Sequence, residues 1–101
     1  MKKLLFILLF VFLKNSSFAD DKMKLGLEVF NNKAQCSACH TLKASGSNSQ
    51  IGPNLDQIKP TTNKVIYTIT NGIGVMPSFK DILTLEEIEV VAHYVFNSTN
   101  N

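Results

Sequence analysis

The chain has 101 residues with ten basic and eight acidic side chains; every cation is a lysine and arginine is absent. That length suffices for one small domain. The near balance of charge argues against a nucleic-acid partner, which calls for a clustered Lys/Arg face.

The N-terminal segment reads as an address. "MKKLLFILLFVFLKNSSFA" opens on Lys2 and Lys3, continues as an unbroken apolar run from Leu4 to Leu13, and closes on small residues at Ser17 and Ala19. These are the parts of a secretory signal peptide, with cleavage expected after Ala19. The apolar run is shorter than the roughly 20 residues that span a bilayer, so an uncleaved anchor is the weaker reading. The expected organisation is therefore a signal peptide at 1–19, one domain at 20–101, and export, most simply to a periplasm. Cleavage removes Lys2, Lys3 and Lys14 and leaves seven lysines against eight carboxylates, a net charge of −1.

A first helix is predicted over "DKMKLGLEVFNN", residues 21–32. Leu25, Val29 and Asn32 share a face there, and Gly26 and Phe30 are surface neighbours four apart. Gly26 costs a helix on the order of 1 kcal/mol against alanine, so it is either slack or a notch for a crossing helix.

"AQCSACHTL", Ala34 to Leu42, follows. It holds both cysteines of the chain, Cys36 and Cys39, with His40 directly after. A bridge between thiols this close would constrain almost no loop and gain little. A thiol–disulfide exchange pair is expected to open a helix after a strand, and no strand is predicted before Ala34. A tetrahedral zinc site wants four ligands; Cys36, Cys39, His40 and His93 are the obvious donors, and adjacent Cys39 and His40 would strain to share one ion. C-x-x-C-H is also the signature of covalent haem attachment. One helical turn places both thiols on one side to add to two porphyrin vinyl groups, and the next residue brings an imidazole to the iron. A porphyrin is also a large apolar body, and a domain of about 80 residues is short of core.

"KASGSNSQIG", residues 43–52, reads as a polar surface loop, and "GPNL", Gly52 to Leu55, as a rigid bend. "TTNKVIYTITNG", residues 61–72, mixes signals. Its β-branched residues favour strand, but Thr61 or Thr62 can cap a helix and Asn71-Gly72 can stop one, so helix is expected. In "NGIGVMPSF", Met76 stands between glycines and Pro77. A lone methionine is usually core filler. In a Gly/Pro-bracketed loop downstream of C-x-x-C-H it fits the second axial ligand of Met/His electron carriers. The last helix is the clearest. "LTLEEIEVVAHYVFNST" offers Thr84 as N-cap with Glu87 three residues on, and Leu83 and Ile88 as a hydrophobic staple. Leu85, Ile88, Val91, Ala92, Val95 and Phe96 recur at helical spacing. His93 reads as a surface or boundary histidine and not a ligand, and Tyr67 and Tyr94 as haem or helix packing and not radical relays.

"CSACH", "GPNL", "GVMPSF" and the capped C-terminal helix together resemble a small class I cytochrome c, over about Lys24 to Phe96. The C-terminal half is similar to small bacterial and photosynthetic electron carriers of that class, and part of it to cytochrome subunits of periplasmic dehydrogenases, including sulfite-oxidising ones. The resemblance implies an all-α fold of three to four short helices wrapped around one haem c, covalent through Cys36 and Cys39, with His40 and Met76 as axial ligands. It further implies that Pro53 offers its carbonyl to the far N–H of His40, that Leu55 packs on the haem face, and that Gly26 and Phe30 meet the last helix near Tyr94. One departure is the connection from Phe30 to Cys36, longer than in the mitochondrial type. With the iron closed on both sides, the function implied is single-electron transfer rather than catalysis, with a redox protein as donor and another as acceptor: a dehydrogenase or cytochrome complex, a terminal oxidase or reductase. The alternative is a cytochrome subunit held by a periplasmic dehydrogenase.

Overall fold

The computed structural model describes residues 18–100. The predicted signal peptide lies outside them except for its last two residues. Four α-helices carry the described chain: α1 (Phe18–Glu28), α2 (Leu55–Ile58), α3 (Thr62–Asn71) and α4 (Leu85–Thr99). No helix among the described residues is long and apolar enough to cross a membrane.

α1 begins with Asp20 and Asp21 in its first turn, where the helix dipole favours them. It runs on into a widened turn, Val29–Lys33, closed by the Ala34 N–H donating to the Val29 carbonyl at 2.8 Å. That wider turn takes up the long connection between Phe30 and Cys36 and buries Val29 and Phe30. Gln35 then adopts a left-handed backbone, φ 54°, and the chain folds into one tight turn at Cys36–Ala38.

The polar stretch after His40 is more ordered than a loop. Thr41–Leu42 (β1) pairs antiparallel with Ser47–Asn48 (β2), Thr41 opposite Asn48 and Leu42 opposite Ser47. Glycine makes this possible, since Gly46 turns the connection at φ 81°. Leu42 is fully buried and anchors the ladder to the core. Two residues per strand lie below what alternation can reveal, and the fold remains all-helical in its framework.

α3 forms as its end signals predict. Thr61 caps it by accepting the Lys64 N–H at 3.1 Å, and Gly72 ends it at φ 75°. Val65 and Ile69, four apart, form its buried face. Tyr67 stands about 200° round the helix from Val65 and is 66% exposed, so it is a solvent-facing residue and not the packing residue expected from sequence. α4 carries the full capping box: the Glu87 N–H donates to Thr84 Oγ1 at 3.1 Å, and Glu87 Oε1 accepts the Thr84 N–H at 2.8 Å. Leu83 and Ile88 are both buried, as a staple requires.

The chain closes where α1 crosses α4. Gly26 lies so near α4 that an added Cβ would fall inside the van der Waals radii of Tyr94 Cβ and the Val90 carbonyl. Phe30 and Tyr94 meet with ring centroids 5.9 Å apart and planes tilted by 55°, a favoured aromatic geometry. Val91 and Ala92 have no exposed surface; burying a valine fully stabilises by roughly 1.5–3 kcal/mol. Lys33 forms an ion pair with Glu87, tying the segment before Cys36 to the start of α4.

Gly26→Ala is expected to destabilise the protein by about 1–3 kcal/mol through overpacking, against the roughly 1 kcal/mol that alanine's helix propensity returns. A denaturation midpoint at or above wild type would show that the crossing opens at no cost. The hydrogen bond from the Lys33 ammonium, with the Thr84 N–H second, holds the Glu87 carboxyl below its ordinary value of 4.5. A depressed folded-state pKa gives stability that is present above the unfolded value and lost as pH falls through the folded one. Wild type should therefore exceed Glu87→Gln in stability at pH 7, and the gap should narrow below pH 4.5, in denaturant titrations at each pH.

Candidate cofactor site

A cavity of about 380 Å³ opens between the Cys36–Ala38 turn, α2, α3, the loop after α3 and α4. Cys36, Cys39, His40, Pro53, Leu55 and Met76, the six site residues named from the sequence, all line it. Most of the remaining wall is hydrocarbon, from Phe30, Val65, Ile69, Phe79, Val91 and Val95.

His40 is held on two sides. Its Nδ1 lies 2.8 Å from the Pro53 carbonyl oxygen. A carbonyl can only accept, so Nδ1 carries a proton, and in the neutral imidazole Nε2 is the lone-pair site. Gly52 packs flat against the ring: an added Cβ would sit 2.7 Å from His40 Cε1 and 3.0 Å from Nδ1. The Gly52 N–H donates to the Cys39 carbonyl at 2.6 Å, linking the bend to the Cys36–Ala38 turn. Asn54 caps α2 through its side chain, accepting from the Asp56 and Gln57 N–H groups, and so delivers Leu55, buried, to the cavity wall. "GPNL" is thus four tasks in four residues: clearance, carbonyl, cap and apolar wall. Sequence reading assigned Pro53 and Leu55 but missed Gly52 and Asn54. Asn54 carries the standard signal of a cap side chain one residue before a helix.

Met76 is fixed by its backbone. Ile73 and Met76 exchange both of their N–H to carbonyl bonds, at 3.0 and 2.9 Å. Gly72 and Gly74 supply positive φ on either side of Ile73. A side chain on Gly72 would strike the Met76 carbonyl and the Ser78 nitrogen, each at 2.8 Å. Phe79 N–H and Ser78 Oγ donate back to the Ile69 and Thr70 carbonyls, so the loop is stitched to the end of α3. The sulfur-bearing side chain is half-buried against the core.

The thiols are free. Burial, the largest influence, pushes the Cys36 thiol up to about 11; its own backbone N–H opposes this and Cys39 adds to it. Exchange nucleophiles need the reverse, a thiol pushed down. Among the described residues no three His, Cys, Asp or Glu side chains come together to hold a metal ion. His93 lies on α4 beside Asn97 and does not line the cavity. The donor set suits a flat apolar macrocycle instead: hydrocarbon walls, two unbridged thiols three residues apart on one turn, an imidazole held by its Nδ1 and a thioether.

A helical shell around an apolar cavity with C-x-x-C-H on its lip defines a small haem-carrying cytochrome. The chain belongs to the class I c-type cytochromes. The family model described as cytochrome c oxidase, cbb3-type, subunit III matches residues 21–95. Cytochrome c6 of the cyanobacterium Picosynechococcus is 34% identical, over 100% of this chain and 97% of its own. Chloroplastic cytochrome c6 of Chlamydomonas reinhardtii is 33% identical over 86% of this chain, which spans only 60% of that protein. The crystal structure of the c-type cytochrome SorU from Sinorhizobium meliloti superposes with a TM-score of 0.75 at 46% identity, covering 79% of this chain and 93% of that one.

Gly52→Ala is expected to destabilise by about 1–3 kcal/mol and to turn the His40 ring off the Pro53 carbonyl. NMR of the His40 Nδ1–H reads this directly; an unshifted resonance would mean that the bend yields instead of the ring.

Proposed function

We propose that this protein is an exported single-electron carrier whose haem is bound through Cys36 and Cys39 and ligated by His40 and Met76. One observation carries the reading: both thiols, an imidazole with its Nδ1 committed to a carbonyl, and a backbone-clamped thioether all line one apolar cavity. When bound, the haem supplies a reversible Fe(II)/Fe(III) couple.

Each residue has a definite task. The Pro53 carbonyl orients His40 and raises the basicity of Nε2. Met76 offers a soft sulfur that favours the reduced metal and raises the potential. Leu55, Val65, Ile69, Val91 and Val95 exclude water, which disfavours the extra charge of the oxidised state. With both axial positions taken by the chain, no side chain here has a catalytic task. The leader segment supports export, most simply to a periplasm, and the partners are redox proteins that deliver and remove one electron. Two haem propionates add to a mature charge already at −1, so a cationic steering ring is not part of the reading.

The purified mature protein is expected to be coloured, to keep its haem through denaturing electrophoresis, and to show low-spin spectra in both redox states. Reduced wild type should leave carbon monoxide unbound, while Met76→Ala should bind it. A colourless preparation would defeat the haem reading, and wild type binding carbon monoxide as readily as the variant would defeat Met76 ligation.

A further inference from the structure

A haem carries two propionate carboxylates, and this chain has no arginine to receive them. Of the residues lining the cavity, Lys64 is the one with a cationic side chain, and no carboxylate lines it. Lys64 stands in the first turn of α3, where the helix dipole disfavours a cation, and that turn holds no acidic residue to offset it. Among the described residues the one ion pair joins Lys33 to Glu87, so Lys64 has no carboxylate partner. Thr68 follows Lys64 by one turn and lines the same cavity. An ammonium and a hydroxyl therefore run along one edge of α3, beside the apolar pair Val65 and Ile69. An unpaired cation at an unfavourable helix position, on the lip of an apolar cavity, breaks local rules with no structural gain, and such breaks mark functional positions.

We infer that Lys64 is the propionate-pairing residue of this site, its ammonium receiving one haem carboxylate with the Thr68 hydroxyl beside it. This assignment rests on the haem reading above and adds what that reading leaves open, the edge of the cavity at which the carboxylates sit. Other titratable groups on the surrounding elements point elsewhere or lie off the cavity. Asp56 of α2 accepts the Lys43 N–H at 2.8 Å. Tyr67 of α3 faces solvent. Lys59 after α2, Lys80 and Asp81 after the methionine loop, and Glu86, Glu87, Glu89, His93 and Tyr94 of α4 are absent from the lining.

A cation in this position acts twice. It keeps the carboxylate ionised to lower pH, and it opposes the additional positive charge of the oxidised iron, raising the potential. Below its pKa the propionate is neutral and above it anionic, so the midpoint potential falls as pH rises through that value. Removing Lys64 moves the fall to higher pH and lowers the potential once the carboxylate is ionised.

The test is a potentiometric titration of the haem-loaded protein from pH 5 to 9, in wild type, Lys64→Gln and Lys64→Arg. In Lys64→Gln the midpoint at pH 8 should lie below wild type, and the onset of the fall should move up by about one pH unit or more. Lys64→Arg should restore both. Lys64 is exposed and glutamine suits a helix, so the fold survives; the methionine–iron charge-transfer band confirms intact ligation. A purely structural lysine would leave the pH of the fall unmoved. A coloured Lys64→Gln protein with the wild-type curve would overturn the assignment alone, whereas a colourless wild type would overturn the haem reading and this assignment with it.

Discussion

The crossing of α1 over α4 is the contact on which the rest of the structure depends. The first and last helices of the described residues meet there, and they can meet only because Gly26 has no side chain to hold Tyr94 and the Val90 carbonyl away. Phe30 then reaches Tyr94 from one side and the cavity from the other. Val91 and Val95 of α4 do the same, packing in the core while forming part of the cavity wall. The Lys33–Glu87 pair fixes the exit from this crossing toward Cys36. The Cys36–Ala38 turn is therefore hung from the crossing, and the position of the thiols relative to the far wall follows from it.

The cavity divides the apolar side chains of the chain into two sets. One set packs into the continuous core around Val91 and Ala92. The other faces the cavity, and its outer members, Ile51, Ile58, Ile73 and Val75, are largely exposed, Val75 by 95%. Covering apolar surface stabilises by about 25 cal/mol per Å², which counts in a domain of about 80 residues. A flat apolar macrocycle bound there would give the second set a surface to pack on. Cofactor site and hydrophobic core are then one object, which explains why so small a chain can devote three helices to lining a hole.

Much of this was legible in the sequence because the signals were local. Thr84, Glu87, Leu83 and Ile88 sit within six residues and need no partner elsewhere to declare a helix start. Cys36, Cys39 and His40 fall within five residues, and Met76 is marked by the glycines and proline that flank it. The ends of α3 were readable from Thr61 and Gly72 even though its interior is rich in β-branched residues. What escaped was set by distant contact or by lengths too short for periodicity. Gly52 looks like ordinary turn punctuation until the His40 ring is placed against it. The β1–β2 ladder has two residues per strand, and alternation over two residues is no pattern. Tyr67 was misassigned because an aromatic among apolar neighbours reads as buried, whereas its angular distance from Val65 and Ile69 on the helix decides the matter. The widened turn after α1 leaves no mark in composition; it shows only as an unusual spacing between Phe30 and Cys36.

The two proposed axial ligands are restrained by different means, and the difference bears on electron transfer. His40 is held through its side chain, by the Pro53 carbonyl on one nitrogen and Gly52 against the ring face. Met76 is held through its backbone, by reciprocal bonds with Ile73 and by the Gly72 turn, leaving its flexible side chain to be placed by apolar packing. Neither restraint involves a group whose charge changes with the metal. Both ligand positions are set by hydrogen bonds to backbone carbonyls and by steric contact, which are indifferent to whether the iron carries one electron more or less. Under the proposed ligation, a site so built would keep its geometry in both states, leaving the response of its surroundings as the main barrier. In that proposed site the low polarity of the wall would have a second consequence beyond raising the potential: few mobile dipoles would have to reorient with each electron passed.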